Sequence, residues 1–167
     1  KGASTAAFHN YFKNSSIYAV DREKKIFKYK SNRIKFFKLD YMNKKQVKKF
    51  TNKFLNYFDI IIDDGGHFKS HILHNIKNFF KCLRNNSFYI IEDYGLKFDY
   101  LNDKINEPNI FSVLKKLGSK KNFKSQIVSK KYQNFIISKI HRINSYTGDW
   151  VRSGKNISDI CFIKTKK

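Results

Sequence analysis

Phe58-Asp59-Ile60-Ile61-Ile62-Asp63-Asp64-Gly65-Gly66-His67 is the stretch on which the reading of this chain turns. A short apolar run ends abruptly in two carboxylates, two glycines and a histidine. Its partner is Ser87-Phe88-Tyr89-Ile90-Ile91-Glu92-Asp93-Tyr94, a second apolar run closed by an acid pair. Runs of this length, bounded by polar residues, read as strands covered on both faces, as in a parallel sheet. Ligands of open parallel sheets bind at the carboxyl ends of the strands, where both acid clusters fall. Four carboxylates and a histidine grouped there suit a hard metal with a base beside it.

Outward from these strands, helices and strands alternate. Gly2 to Phe12 has helical spacing after a Gly and a Ser/Thr pair that suit a helix start. Ser16 to Asp21 and Ile34 to Asp40 read as strands, each ending in an acid, with a helix over Arg22 to Tyr29 between them. Lys44 to Tyr57 places Val47, Phe50, Phe54 and Leu55 on one helical face. A helix from about Phe68 to Leu83 carries Ile72, Ile76, Phe79, Phe80 and Leu83 as its apolar stripe. Beyond the second acid strand, Gly95 to Glu107 reads as a loop and Pro108 as the start of a helix to about Leu117. Asn134 to Ile143 and Ile157 to Lys164 read as two final strands, with a polar loop at Ser145 to Lys155 holding Trp150, the only tryptophan. The pattern predicts a single α/β domain over residues 1–167, with right-handed crossovers between parallel strands.

Composition narrows the class. The chain has 167 residues, 41% of them hydrophobic and 17% aromatic, which argues for a packed core over disorder. No apolar run approaches the roughly 20 residues of a membrane span. The formal charge of +22 invites a nucleic-acid reading, yet arginine supplies only five of the 35 basic residues. Lysine, asparagine and isoleucine are spread through almost every segment, the mark of composition bias, whereas phosphate readers favour the arginine fork. Acidic glycans fit the same charge. Cys82 and Cys161, the two cysteines, lie in a helical pattern and a late strand and read as core residues in a reduced, cytoplasmic setting.

The ordered set of strand–acid, strand–acid, strand–acids resembles the class I S-adenosylmethionine-dependent methyltransferase fold. That resemblance implies a Rossmann-like, doubly wound, mostly parallel sheet with a C-terminal antiparallel hairpin. It also implies a glycine turn at the methionine part of the cofactor, an acid on the ribose hydroxyls and another near the adenine: here Gly2 with Ser4, then Asp21, then Asp40, with Asp63 closing the pocket or orienting its neighbours. DDGGH followed by IED is similar to the paired motifs of the magnesium-dependent macrolide sugar O-methyltransferases and their cephalosporin-hydroxylase-like relatives, with Gly66 where serine is usual. The match is good over residues 1 to about 94 and holds in outline beyond. Lys1-Gly2-Ala3-Ser4 looks like the tail of an E-x-G-x-x-x-G turn, so the first strand is expected to be missing from the chain.

The resemblance implies Mg²⁺ on Asp64, Glu92 and Asp93, and the chemistry of the residues agrees, since hard carboxylates without thiolates suit that ion. His67, three residues after Asp64, is the candidate general base, because an imidazole exchanges protons near neutrality. The competing reading makes Asp63 and Asp64 caps of the following helix and Gly65-Gly66 an ordinary turn. Asp21 and Asp40 can likewise be caps. His67, His71 and His74 share a helical face on paper, but His71 and His74 read as surface or lining residues rather than zinc ligands. His9 and His141 have no evident partner. Tyr94 either lines an acceptor site or completes its strand, and Trp150 either stacks on a sugar or forms a lid.

The expected activity is methyl transfer from S-adenosylmethionine to a hydroxyl of a sugar, glycan or related small molecule. The rivals are an RNA methyltransferase using the basic surface and a non-catalytic or degenerate α/β binding module. A homo-oligomer is compatible with the chain, and no seam for one is legible.

Overall fold

The structure is a computed structural model that describes residues 2–23, 31–95, 105–148, 151–152, 155–156 and 158–167. It forms two compact units, Lys1–Lys49 and Phe50–Lys167.

In the first unit, α1 (Ala3–Tyr11) precedes two parallel strands, β1 (Ile17–Asp21) and β2 (Ile34–Lys38). Their register sets Ile17 opposite Ile34 and Asp21 opposite Lys38. Gly2 caps α1 at φ 95°, a left-handed conformation that glycine adopts without the Cβ penalty. The other end of α1 is held by Arg33, whose guanidinium donates to the carbonyls of His9, Phe12 and Ser15. The carbonyls of His9 and Phe12 belong to the helix end, where the backbone ladder runs out, and Ser15 lies in the turn beyond it. His9 has a partner after all: its Nε2 lies 2.9 Å from Ser31 Oγ, and the side chain is buried. The helix expected over Arg22 to Tyr29 falls mostly outside the described residues.

Helix α2 (Lys44–Lys53) starts at Asn43, whose side chain accepts from the amides of Lys45 and Gln46. Val47, Phe50 and Phe54 are buried, while Leu55, expected on the same face, lies past the helix end and is 57% exposed.

The second unit contains β3 (Phe58–Asp63), α3 (Lys69–Phe79), a 3-10 turn (Phe80–Cys82), β4 (Leu83–Glu92), α4 (Ile110–Gly118), α5 (Lys130–Lys139), β5 (Ile140–Thr147), β6 (Val151–Arg152), β7 (Lys155–Asn156) and β8 (Asp159–Thr165). Among the described residues β6 and β7 pair with each other, and the main sheet runs β3-β4-β8-β5. β3 and β4 are parallel, and β8 is antiparallel to both β4 and β5. The unit is therefore α/β with a mixed sheet.

Alternation along β4 and β8 sends Tyr89, Ile91, Cys161 and Ile163 to one face, where all are buried. Ile72, Leu73 and Ile76 of α3, Val113, Leu114 and Leu117 of α4 and Ile136 of α5 close over that face to make the core. Each such aliphatic side chain contributes roughly 1.5–3 kcal/mol by leaving water. Cys82 and Cys161 are fully buried here, and burial pushes both thiols up to about 11.

Three segments differ from expectation. Asn134 to Ile143 is not one strand, because helix α5 runs to Lys139 and β5 begins at Ile140. Phe135-Ile136-Ile137 looks like a strand run, yet Tyr132, Phe135 and Ile136 also recur at helical spacing, and tertiary packing selects the helix. Pro108 lies before α4 rather than in it; Asn109 is the cap, its side chain accepting from the amide of Phe111. The Ser145 to Lys155 stretch is partly strand (β5, β6 and β7), and Trp150 lies outside the described residues.

Candidate active site

Parallel pairing of β3 and β4 places Ile62 opposite Ile90 and Asp63 opposite Ile91. One residue further, the same register brings Asp64 level with Glu92 on strands about 4.8 Å apart. Alternation puts Asp64 and Glu92 on the face shared by Ile60, Ile62, Phe88 and Ile90, away from the helix-covered core. Asp63 points the other way.

The two adjacent aspartates therefore live in different surroundings. Asp63 is 9% exposed, and its carboxylate accepts from Asn75 Nδ2 at 2.8 Å and Tyr89 OH at 3.1 Å. Burial raises it from 3.8 to about 6, against the lowering effects of those two hydrogen bonds, of His67 and of the Gly65 amide. Asp64 is exposed, and its Oδ1 lies 3.8 Å from His67 Nε2.

The turn that carries His67 is built by its glycines and by strain. A Cβ on Gly65 would come within 3.1 Å of Asp63 Oδ1 and 3.2 Å of Asn75 Nδ2, so the bare backbone lets the chain fold over that pair. His67 itself has φ 53°, and the amide of Phe68 reaches back to the carbonyl of Gly66. His67 thus precedes α3 in a left-handed conformation. The helical face it shares on paper with His71 and His74 does not exist, since α3 begins at Lys69. His71 stands against Phe68, ring centroids 4.7 Å apart.

At the tip of β4, Asp93 also has a positive φ, 51°, and its amide donates to the carbonyl of Asp159 at the start of β8. Glu92 is raised above its ordinary value by burial first, then by Asp64 and Asp93, with His67 opposing. Asp93 is raised by burial, opposed by His67, raised again by Asp64 and lowered by a backbone hydrogen bond from Asp159. Three carboxylates and an imidazole therefore feel one another's charge. Such mutual repulsion is what a cation relieves.

The donor set, all carboxylate oxygen with no thiolate, fits a hard divalent ion. Among the described residues, however, no three His, Cys, Asp or Glu side chains already form a group that could hold a metal.

In the first unit, Asp21 ends β1 and accepts from the amide of Glu23 at 3.0 Å; Asp40, just past β2, accepts from the amide of Met42 at 2.9 Å. Both therefore make local turns at the carboxyl end of a parallel pair. Gly2 and Ser4 stand at the first turn of α1.

Three participants went unnoticed in the sequence. Asn75 sits at a core position of α3 and Tyr89 in an apolar strand, and both serve Asp63. Asp159 opens β8 beside Gly95 and is 8% exposed. Tyr94 proves to be a core residue, buried, hydrogen-bonded to Ser145 and edge-on to Phe111 at 4.9 Å. A buried polar side chain within an apolar stripe is the signal that singles out Asn75.

No protein-family model and no curated protein matches the chain. Solved structures of the MycE methyltransferase from the mycinamycin biosynthetic pathway are similar to it. Two crystal forms of its complex with Mg and SAH align at TM-scores of 0.71 and 0.70, with 19% and 18% identity. Its complex with Mg, SAH and mycinamycin VI aligns at 0.70 with 17% identity. Each alignment covers 99% of this chain and 40% of MycE, so the chain spans two fifths of the length of the protein it matches. At this identity the likeness shows the fold: the chain has the α/β fold of a methyltransferase.

Proposed function

We propose that the chain is a single methyltransferase domain that moves a methyl group from S-adenosylmethionine to a hydroxyl of a sugar, glycan or related small molecule, with a divalent cation, Mg²⁺, at its acid cluster. One observation carries this reading: the register of β3 and β4 sets Asp64 level with Glu92, with Asp93 and His67 close enough to shift Glu92's proton affinity. The fold likeness supports it, because the MycE complexes hold Mg and SAH.

Asp64, Glu92 and Asp93 would hold the cation, which when bound there would favour the ionised form of an acceptor hydroxyl. His67 would take that hydroxyl's proton at Nε2, a reading supported by the 3.8 Å from that nitrogen to Asp64 Oδ1. Its left-handed backbone fixes the ring at the rim of the turn instead of on the helix. Gly2, Ser4, Asp21 and Asp40 are assigned to the cofactor, and Asp63 to positioning, since Asn75 and Tyr89 occupy its carboxylate. The protein's share of catalysis is then mainly alignment of the acceptor oxygen with the sulfonium methyl. The two buried, unpaired thiols suit a reducing, cytoplasmic setting.

Calorimetry tests the cofactor assignment: S-adenosylmethionine should bind saturably. Methyl transfer should vanish in EDTA and return with Mg²⁺, and His67→Ala should cut turnover by roughly 10²-fold or more with cofactor affinity preserved. Full activity in chelator would end the metal assignment.

A further inference from the structure

The face of the β3-β4-β8-β5 sheet opposite the core carries a groove of about 410 Å³, lined by Phe88, Arg142, Asn144, Tyr146, Phe162 and Lys164. Strand register orders these residues into rows. Phe88 stands opposite Lys164 and Lys164 opposite Arg142; Ile90 opposite Phe162 and Phe162 opposite Asn144; Glu92 opposite Ile160 and Ile160 opposite Tyr146. The groove therefore runs from a cationic row, past aromatic rings, to the row that contains Glu92 of the acid cluster. Along β4 that is four residues from Phe88 to Glu92, about 13 Å at roughly 3.3 Å per residue.

Among the described residues no carboxylate lines the groove. Lys164 Nζ lies over the Phe88 ring, 5.5 Å from its centre. Tyr146 and Phe162 meet edge to face at 5.9 Å, an apolar corner for the C–H face of a flat ring. Asn144 Nδ2 donates to the Tyr146 hydroxyl at 3.3 Å, so an amide and a phenol sit together where a ligand hydroxyl would lie. Apolar walls with a few convergent polar groups, in a volume of this order, are the ordinary composition of a small-ligand site.

We propose that this groove is the acceptor subsite and that its ligand is an acidic saccharide. The ring bearing the methylated hydroxyl lies at Glu92, the next ring on Tyr146 and Phe162, and a carboxylate, sulfate or phosphate further along pairs with Arg142 and Lys164. This assignment rests on the methyl-transfer reading for its direction, acids at one end and cations at the other. A nucleic-acid strand fits less well, because it brings a phosphate at every nucleotide while the cations here are gathered in one row.

The test is calorimetric titration of the whole chain at 0.15 M salt, without S-adenosylmethionine or metal. The ligands are trigalacturonate, its neutral methyl ester and a uridylate trimer. Trigalacturonate should bind saturably, and the ester at least tenfold more weakly. Arg142→Gln with Lys164→Gln should weaken trigalacturonate tenfold or more, and so should Tyr146→Ala, whose side chain is 55% exposed and dispensable to the fold. Lys115→Gln with Lys116→Gln on α4 makes the same charge change elsewhere and should leave affinity unaltered. Absence of saturable binding overturns the proposal, as does equal loss in both charge pairs. A uridylate trimer that binds tighter and depends on Tyr146 assigns the face to nucleic acid, and a dimer in sedimentation that Tyr146→Ala dissolves assigns it to a second copy; either result overturns the saccharide. Failure of S-adenosylmethionine to bind in a separate titration refutes methyl transfer and leaves these saccharide measurements intact.

Discussion

Replacing Asp63 by Asn should make the protein more stable above neutral pH, although it alters a buried, doubly hydrogen-bonded residue. The carboxyl is 9% exposed and is raised from 3.8 to about 6. Because the folded value lies above the ordinary one, the stability this group contributes is complete below pH 3.8 and is lost as the pH rises through about 6. At about 1.36 kcal/mol per pKa unit, the ionised carboxylate at pH 8 leaves the fold weaker by up to about 3 kcal/mol than it would be with the acid neutral. Asparagine keeps an oxygen to accept from Asn75 Nδ2, and the Tyr89 hydroxyl can rotate to accept from the new amide. Urea unfolding followed by circular dichroism, at pH 5 and pH 8 with chelator present, measures the difference. With a urea slope of about 2 kcal/mol per M, the Asp63→Asn midpoint at pH 8 should lie as much as ~1.5 M above the wild-type midpoint. At pH 5 the gap should already be about half as large, because the unfolded carboxyl is ionised there while the folded one is not, and it should close only below pH 3.8. Parallel pH profiles for the two proteins, or a less stable variant at pH 8, would refute the reasoning.

Gly65→Ala should destabilise by about 1–2 kcal/mol in thermal or urea melts, because its Cβ would press on the Asp63–Asn75 hydrogen bond from 3.1 and 3.2 Å. His67→Gly removes the imidazole and also the left-handed strain at φ 53°, worth about 1 kcal/mol. Added freedom in the unfolded chain offsets that gain, so stability should stay within about 1 kcal/mol while methyl transfer falls ~10²-fold or more. Arg33→Ala removes the donor shared by two carbonyls at the end of α1 and by Ser15 in the turn after it, and should cost about 2 kcal/mol in melts.

Much of the fold was legible because its strands are short apolar runs closed by acids. The strands ending at Asp21, near Asp40, at Asp63 and at Glu92, with α1, α2 and α3 between or beside them, follow from periodicity alone. What failed was the stretch over Asn134 to Ile143, where Phe135-Ile136-Ile137 satisfies both periods and only packing against Val128, Phe123 and the sheet decides. Gln133 shows how. Its buried amide donates to the carbonyls of Phe123 and Val128, and its oxygen accepts from the amide of Phe123, bonds that a strand in this place would not make. At the site, residue type picked out the candidate acids and imidazole, and the family resemblance gave Asp63 and Asp64 different expected roles, but residue type held no physical ground for separating them. That separation comes from strand alternation: one side chain enters the core under α3 and the next emerges on the far face.

Backbone strain adds something the residue types do not. Five non-glycine residues among those described have positive φ: Asn56, His67, Asn86, Asp93 and Lys120. Asn tolerates this conformation: Asn56 stands in the turn before β3, and Asn86 lies within β4 where its register against β3 shifts. His67 and Asp93 are of residue types that also visit this conformation, and each follows a strand tip of the same parallel pair. Holding both costs on the order of 1–3 kcal/mol apiece, and the surroundings must over-determine it. The Phe68 amide on Gly66 and the Asp93 amide on Asp159 are the bonds that do so. The position of His67 and Asp93 beside Asp64 and Glu92 is why we propose that the turn aims an imidazole and a carboxylate as well as preceding a helix.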